Sequence, residues 1–573
     1  MMAFLGLRLA RLVLTLFLVS GFVFSLQLLV PSGPADLLPN LDRPPTADDL
    51  RQHFALDPPV RFVDWIGRVL RGELGQSLMT GQPVAVLLAN TAAASLQLLL
   101  MAIVMALAIG AALAGAARTG NRTWGRIADG LAVAGLAVPN FLIGLLLLWL
   151  VSKVTGLSLV GDRPSPTQHR PQDVAALAMP AFALAFALVP VLMRRIRDRL
   201  QAGAIGTAGW SSAIVAGAGQ SVPDVIAVVS GLVIIETVFG IPGLGQLMNA
   251  ATFGRDYPIL VPIALIAATV GAVLIFVADV ACALVDRQRR AVTAAVGEGA
   301  SPPVDSSDRW RQQTRNRAAI VGLALIAVFV LLAVVAPWVS GDPVAISLQH
   351  RLQPPSAAHW FGTDLLGRDV LARLLDGIRP ALIAGLVPPA AALVLGVPLG
   401  LCAGWLVRFG GVVGRVFDVL ISSMTDALLA FPLLVMALVL ASFARGGLIT
   451  AIVALAIGAT AVTARVVRSH VIAGVGGDRR PSIAAVLLVQ TMLSVATAII
   501  GFAAISALGY GEPPPVPSWG DMIGVKAAML ALGPWVAASA GLAVVLMALA
   551  FSLIGMGLRR RIALRPAVVR QAV

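Results

Sequence analysis

The chain is poor in charged residues: only 12% of its 573 residues are Asp, Glu, Lys or Arg. In soluble domains about a quarter of all residues are charged, so the composition excludes a soluble globular protein. Cysteine is scarce as well, and Cys282 and Cys402 both lie in apolar runs, which excludes a disulfide framework and a redox motif. The five histidines are scattered without the spacing of a metal site, so no metal ligand is predicted.

Lysine is almost absent, since Lys153 and Lys526 are the only two in the chain. A phosphate-binding P-loop needs a lysine directly after a glycine, and neither lysine follows a glycine. The chain therefore encodes no P-loop ATPase, and no nucleophile paired with a base stands out either. We predict that the chain is not an enzyme and binds no cofactor itself.

Apolar residues, by contrast, make up 58% of the chain and form long runs. The hydrocarbon core of a bilayer is roughly 30 Å thick and a helix rises about 1.5 Å per residue, so about 20 apolar residues make one span. The sequence therefore predicts an all-α membrane protein with about twelve transmembrane helices. The twelve runs lie near residues 9–30, 93–117, 128–151, 173–193, 213–239, 258–285, 318–338, 380–407, 416–442, 447–464, 483–509 and 532–557.

The first of these runs has two interpretations. Arg8 and Arg11 precede it, as in the charged region of a cleaved signal peptide. Its apolar stretch exceeds the roughly 7 to 15 residues of such peptides, which favours a retained span.

Arginines are concentrated in alternate loops between the runs. They precede the first run and follow the second, fourth and sixth, and the second half of the chain repeats this arrangement. Short arginine-rich loops stay in the cytoplasm, so both termini and the stretch 465–482 are predicted to be cytoplasmic. The net charge of +14 therefore reflects membrane topology, and no nucleic-acid partner is predicted.

The chain also contains an internal repeat. Residues 111–126 align without a gap on residues 400–415, and the stretch around Pro139 resembles the one around Pro432. Proline removes a backbone donor, so both prolines are predicted to kink their spans. A segment rich in Gly, Ser, Pro and charge between the repeats indicates a cytoplasmic linker. The predicted domains are two six-span halves, 1–290 and 318–573, joined by the linker 291–317.

Nine motifs in a fixed order carry a family resemblance. They are FALDPPV (54–60), RGELGQSLMTGQPV (71–84), AVPNF (137–141), ETVFGIPGLG (236–245), RDYPIL (255–260), NRAAIVGL (316–323), FGTDLLGRDVLARLLDGIR (361–379), TDALLAFP (425–432) and PSWGDM (517–522). The first half resembles the B-type permease, and the second half the C-type permease, of dipeptide, oligopeptide and nickel ABC importers. The resemblance covers almost the whole chain, so it looks like the two permeases fused head to tail, with type I ABC importer permease architecture.

This resemblance implies a function and partners. The chain would be the permease component, in the bacterial inner membrane, that moves peptides or a similar small solute into the cytoplasm. Nickel or another metal chelate is the alternative substrate. The implied partners are two separate ABC ATPase subunits, which bind ATP and Mg²⁺, a substrate-binding protein outside the membrane, and membrane lipid.

Permeases of this family contact their ATPases through a cytoplasmic loop between the fourth and fifth spans. The first such loop here, 194–223, lacks the acidic residue of the family motif. The second, in 465–482, is too short and too rich in glycine to supply the usual coupling helix. The candidate ATPase contacts are Arg195, Arg197, Asp198, Arg199, Gly206, Arg468, Asp478, Arg479 and Arg480.

The resemblance also implies an outer vestibule where the binding protein docks. Residues 361–379 combine a polar and an apolar face, which predicts an amphipathic helix on the membrane surface; a structural cap is the alternative role. The vestibule candidates are Gly75, Ser77, Gly362, Thr363, Asp364, Gly367, Arg368 and Asp369. Acids and prolines within spans give the pathway candidates, with helix packing as the alternative role: Pro139, Glu236, Asp426 and Pro432.

Two other functions stay open at this point. A permease-like protein without ATPase coupling would act as a passive or secondary route or as a scaffold. An unrelated secondary carrier would show many acids or broken helices near the membrane midplane, and the sequence offers few acids there. Co-purification of ATPase subunits would distinguish an ABC permease from a permease-like protein without ATPase coupling.

Overall fold

The computed structural model describes residues 2–27, 61–118, 122–155, 173–201, 213–215, 217–218, 221–296, 308–339, 341–409, 411–444, 446–473, 482–524 and 533–568. Apart from a 3₁₀ turn at Leu348–His350, the regular elements of these residues are α-helices. Before the predicted linker they are α1 (Met2–Gln27), α2 (Arg61–Leu70), α3 (Val84–Arg118), α4 (Arg122–Ala137), α5 (Asn140–Thr155), α6 (Asp173–Phe186), α7 (Val189–Gln201), α8 (Val222–Phe239), α9 (Leu244–Phe253) and α10 (Tyr257–Val296). The remaining helices are α11 (Asp308–Val339), α12 (Val370–Asp376), α13 (Ile378–Phe409), α14 (Gly411–Ala430), α15 (Leu433–Ala444), α16 (Leu448–Ala473), α17 (Ile483–Ala507), α18 (Trp519–Ile523) and α19 (Pro534–Val568).

Within these residues, eight helices are long and apolar enough to cross a membrane, and three bent helix pairs bring the number to eleven. The bent pairs are α6 with α7, α8 with α9, and α14 with α15. The shorter apolar helix Asn140–Val154 covers the second part of the predicted run 128–151, and α4 covers its first part. The prediction of an all-α membrane protein is confirmed.

Two spans are interrupted at the prolines that the internal repeat aligned. Helix α4 ends at Ala137 and α5 begins at Asn140, on either side of Pro139. Helices α14 and α15 enclose an angle of 84° around Pro432. Both breaks follow from the missing proline N–H, which cannot continue the helical hydrogen bonding.

The two predicted halves pack against each other reciprocally. Helix α10 of the first half lies against α14 of the second, and α19 of the second half lies against α4 of the first. Helix α1 packs on both α10 and α14. The α10–α14 contact is close because Gly271 has no side chain: a Cβ atom there would lie 2.1 Å from the backbone oxygen of Ala430.

Helices extend into both ends of the predicted linker 291–317. Helix α10 continues to Val296, and α11 begins at Asp308. Residues 297–307 lie outside the described residues.

Candidate functional site

The candidate site is the interface between the halves, and one of its ends is closed by the chain's two tyrosines. The hydroxyl of Tyr257, at the start of α10, donates to the backbone oxygen of Ser442 at 3.2 Å. Its ring stacks on Phe443 with the centroids 5.0 Å apart. Helix α15, which carries both partners, belongs to the second half, so this contact crosses the interface.

The second tyrosine makes the reverse contact. Tyr510, just after α17, donates its hydroxyl to the backbone oxygen of Asn249 in α9 at 3.1 Å. Its ring lies 4.8 Å from that of Phe253. Burial raises the pKa of the Tyr510 hydroxyl above its ordinary value, so it stays a neutral donor. We call Phe253, Tyr257, Phe443 and Tyr510 the tyrosine closure, and this end of the bundle the tyrosine end.

Glu236 lies beside the tyrosine end, in the last turn of α8. Its carboxylate is fully buried and accepts hydrogen bonds from the Ser95 hydroxyl at 2.6 Å and from the backbone N–H groups of Gly245 and Gln246 at 2.7 and 3.1 Å. Because these N–H groups are among the first of α9, the carboxylate caps that helix. The pathway candidate Glu236 therefore caps a helix, and both of its carboxylate oxygens accept hydrogen bonds from protein donors.

The vestibule candidates Gly75 and Ser77 lie in a loop fixed by an aspartate that was not among the predicted site residues. The Ser77 hydroxyl donates to Asp256 at 2.5 Å, and the backbone N–H groups of Leu78 and Met79 donate to the same carboxylate. Asp256 is fully buried. Asp256 belongs to the RDYPIL motif, and Ser77 belongs to the RGELGQSLMTGQPV motif of the same half. The presence of both motifs in one half was the signal that could have indicated this contact.

The vestibule candidates of the second half share one folded loop. Asp364 accepts hydrogen bonds from the backbone N–H groups of Leu366 and Arg368 and from the Arg368 guanidinium at 2.7 Å. Asp369 caps α12 by accepting from Ala372 N. The backbone oxygen of Thr363 accepts a hydrogen bond from the indole N–H of Trp535.

The predicted amphipathic helix over 361–379 is therefore wrong for its first part. Residues 361–369 form a loop, and helix begins only at Val370. Gly362 and Gly367 both adopt a φ of 73°, a left-handed conformation that interrupts a helix. Arg373, one of the polar residues of this stretch, is buried near Asp364 and Asp521.

The opposite end of the interface carries a cluster of ion pairs. Arg468 donates to both oxygens of Asp418 at 2.6 and 2.8 Å, and Arg465 pairs with Asp426. Arg11 of α1 lies 3.6 Å from Asp418, so this cluster also joins the halves. We call this end, which carries Arg8, Arg11, Arg465 and Arg468, the arginine end.

The two ends are separated by about the thickness of a membrane. Ile275 lies eighteen residues after Tyr257 on α10 and lines a cavity at the arginine end. At 1.5 Å per residue this separation is about 27 Å. The pathway candidate Asp426 lines the same cavity, whereas Pro139 and Pro432 lie at the helix breaks.

The candidate ATPase contacts are only partly described. Arg195 pairs with Asp224 at 2.7 Å, and Arg197 lies 3.9 Å from Asp198. Arg468 is engaged by Asp418 within the bundle. Arg199 belongs to α7, but its side chain is outside the described atoms, and Gly206, Asp478, Arg479 and Arg480 lie outside the described residues. In the described part of the chain, no cluster of three or more His, Cys, Asp and Glu side chains could hold a metal ion.

Comparison with known proteins identifies matches in both halves. Residues 213–291 match the family described as binding-protein-dependent transport system inner membrane component. Residues 306–355 match the N-terminal transmembrane domain of oligopeptide transport permease C.

Individual relatives cover a little under half of the chain. A dipeptide transport system permease protein of Alkalihalophilus pseudofirmus is 35% identical over 272 residues, which is 44% of this chain and 87% of the relative. A di/tripeptide transport system permease protein of Pseudomonas aeruginosa is 34% identical over 283 residues, 45% of this chain and 91% of the relative. A probable peptide ABC transporter permease of Sinorhizobium fredii is 36% identical over 278 residues, 45% of this chain and 93% of the relative. The chain therefore belongs to the binding-protein-dependent transport system inner membrane components, the permease proteins of ABC transporters.

Proposed function

We propose that this chain is a fused pair of permeases that forms the membrane pathway of an ABC importer for peptides. The observation that carries this proposal is the order of the two family matches: 213–291 ends where the predicted linker begins, and 306–355 starts within the linker and continues into the second half. Relatives whose names specify dipeptide or di/tripeptide transport each account for a little under half of the chain. We accordingly assign 1–290 and 318–573 as the two permease halves and 291–317 as their linker.

The positions of the arginines support an orientation. Arg8 and Arg11 lie at the arginine end, and the helix that carries Arg465 and Arg468 runs toward the same end. Arginine-rich ends stay in the cytoplasm, so the arginine end is the cytoplasmic one and both termini are cytoplasmic. The described conformation is then closed outside by the tyrosine closure, while a cavity lies at the cytoplasmic end.

Energy would come from two ATPase subunits that bind ATP and Mg²⁺ at the cytoplasmic end. The loop after α7 would contact one of them through Arg195, Arg197, Asp198, Arg199 and Gly206. The shorter loop after α16 would contact the other through Asp478, Arg479 and Arg480. Arg468 would support this second loop from within the bundle, because its guanidinium is held by Asp418.

A substrate-binding protein would dock on the external loops at the tyrosine end. The loop of Gly75 and Ser77 and the loop of Gly362, Thr363, Asp364, Gly367, Arg368 and Asp369 are each held by a buried aspartate. A rigid loop loses little conformational entropy on binding, which suits a docking surface.

The test is transport by the reconstituted complex. The full chain is co-expressed with candidate ATPase and binding-protein genes from the same genome, purified by a tag on the chain and placed in proteoliposomes. We expect the ATPases to co-purify and a labelled dipeptide to accumulate only with ATP and binding protein. Absence of ATPase from the purified chain, together with uptake that ignores ATP, would refute the proposal. Uptake of a nickel chelate in place of the dipeptide would overturn the assignment of substrate.

A further inference from the structure

The short helix α2, which precedes the loop of Gly75 and Ser77, has three different faces. A helix turns about 100° per residue, so residues three, four or seven positions apart share a face. The first face packs against the bundle, the second is polar, and the third is apolar and exposed. The three faces are Phe62, Trp65 and Val69; Asp64 and Arg68; and Val63 and Leu70.

The exposed apolar face is unusual for a helix outside the long spans. Val63 is 69% exposed and Leu70 is 81% exposed, and the seven residues between them are two helical turns. Two large apolar side chains in line on one helix face indicate a surface that meets something other than water. The position of α2 relative to α1 indicates what that is.

Helix α2 packs on the side of α1 that faces lipid. The apolar side chains of Leu9, Val13 and Phe17, spaced four residues apart on the span Arg8–Leu26, are exposed along one stripe of α1. The ring of Phe62 meets the ring of Phe17 edge-on, with the centroids 5.7 Å apart. Because Phe17 belongs to the exposed stripe, α2 lies at the lipid-facing surface of the bundle.

The depth of α2 follows from a second ring contact. Phe62 also lies edge-on against Phe24, with the centroids 5.5 Å apart. Phe24 and Phe17 precede the end of the span at Leu26 by two and nine residues, which is about 3 and 14 Å along α1. Phe62 therefore lies below the end of the apolar span, and interfacial helices bury their apolar face to a similar depth of about 5 to 10 Å.

This depth selects lipid as the partner of the exposed face. A loop at that level would leave backbone N–H and C=O groups without partners, because lipid offers none. A protein that docks from the water would meet the polar face, which carries Asp64. Acyl chains satisfy the face of Val63 and Leu70 without either cost.

The bundle seats α2 loosely on its other side. A cavity of ≈ 80 Å³ lies between α2 and the start of α10, and its lining includes Trp65, Val69, Tyr257 and Val261. Close packing against α10 is therefore incomplete, and α2 depends on its contacts with α1 and with its surroundings.

We propose that α2 is an interfacial helix that lies in the membrane leaflet at the tyrosine end, with Val63 and Leu70 among the acyl chains and Asp64 toward the water. The loop that follows α2 is held to the bundle by the bond from Ser77 to Asp256. Because Asp256 directly precedes Tyr257, the lipid contact of α2 anchors the surroundings of the tyrosine closure to the membrane surface.

The experiment measures what a spin label on each face of α2 collides with. Cys282→Ala and Cys402→Ala remove the native cysteines from the full chain. Val63→Cys, Leu70→Cys and Asp64→Cys are then introduced one at a time, labelled with a nitroxide and reconstituted into phosphatidylcholine liposomes. Electron paramagnetic resonance gives the collision rates with oxygen, which concentrates in lipid, and with a nickel chelate, which stays in water.

We expect the ratio of oxygen to nickel collisions to be about threefold or more higher at positions 63 and 70 than at position 64, since only the apolar face of an interfacial helix meets acyl chains. Leu323→Cys, in the span Arg317–Trp338, gives the reference value for a lipid-facing site. The measurement needs no ATPase, binding protein or substrate, so its outcome is independent of the proposed import.

Two outcomes would overturn the proposal. Equal ratios at positions 63, 64 and 70 would place the apolar face in water, where it would be open to a protein partner. Low collision rates with both reagents at positions 63 and 70 would show that protein covers this face, including residues 28–60 of the same chain. Each labelled chain is compared with the cysteine-free chain by thermal unfolding, so that only folded variants are interpreted.

Discussion

Tyr510 and Asn249, 261 residues apart in the chain, are joined by a hydrogen bond of 3.1 Å from the tyrosine hydroxyl to the asparagine backbone oxygen. The bond crosses from the second half to the first, and the bond from Tyr257 to Ser442 crosses in the opposite sense. With only two tyrosines in the chain, both are used to close one end of the interface.

Removing the tyrosine hydroxyls should loosen the closure while the aromatic stacking stays. Tyr510→Phe and Tyr257→Phe are each expected to lower the free energy of unfolding by about 1 kcal/mol, because one buried hydrogen bond is lost. Thermal unfolding of the purified chain measures the effect. Thr497→Val removes an exposed hydroxyl that bonds within its own helix, and it should change little. Equal effects from all three variants would show that the cross-interface bonds contribute nothing.

Glu236 should stabilise the fold mainly as a hydrogen-bond acceptor, and its negative charge should contribute less. Glu236→Ala leaves the N–H groups of Gly245 and Gln246 and the Ser95 hydroxyl without an acceptor in a buried turn. We expect a loss of about 3 kcal/mol or more, since each unsatisfied buried group costs roughly 1 to 3 kcal/mol. Glu236→Gln keeps one acceptor oxygen and should recover at least half of the loss in a thermal unfolding measurement. An alanine variant as stable as wild type would contradict the capping role.

The close contact between α10 and α14 should be sensitive to a single methyl group. In Gly271→Ala the new Cβ would meet the backbone oxygen of Ala430 at 2.1 Å, so the helices must separate. Overpacking of this kind costs about 1 to 3 kcal/mol. Gly130→Ala is the matched control, because Gly130 is helical and a methyl group added there would meet no atom within 4 Å. The difference in melting temperature between the two variants gives the measurement, and no difference would contradict the close packing.

Docking of the binding protein should depend on exposed residues of the external loop. Trp360 is 72% exposed beside the loop that Asp364 organises. Exposed aromatic residues are frequent anchors of protein interfaces, so Trp360→Ala should weaken binding of the cognate binding protein about tenfold without lowering thermal stability.

Charge reversal at Asp364 should act differently from the Trp360 variant. Asp364→Lys would place a cation beside Arg368 and Arg373 and disrupt the loop itself. We expect it to lower both docking and stability. A Trp360→Ala chain that binds the binding protein as wild type does would contradict the proposed docking surface.

The sequence was sufficient to predict the apolar helices and the breaks at Pro139 and Pro432, but it did not predict the bends between α6 and α7 and between α8 and α9. Apolar runs of about 20 residues became helices, and the helices break at Pro139 and Pro432, where a backbone donor is missing. The helix boundaries beside the linker were less well predicted, since α10 and α11 extend into it.

Contacts between distant residues could not be predicted in the same way. Nothing local indicates that Ser77 meets Asp256, or that Tyr510 meets Asn249, because the fold alone brings these pairs together. Glu236 and Asp426 stood out as acids within spans, but the sequence could not distinguish a helix cap from an ion pair. The amphipathic pattern of 361–379 was misleading because two left-handed glycines interrupt the helix.

The proposed import requires that the two halves alternate between closure at the tyrosine end and closure at the arginine end. Spin labels at the exposed residues Met79 and Ile449 report on the tyrosine end, and labels at Leu9 and Val412 report on the arginine end. Distances are measured by electron paramagnetic resonance in the full complex, without nucleotide and then with ATP and binding protein. We expect ATP to lengthen the distance between Met79 and Ile449 and to shorten the distance between Leu9 and Val412. Distances that stay fixed at both ends, or that change in the opposite sense, would contradict alternation between the two closures.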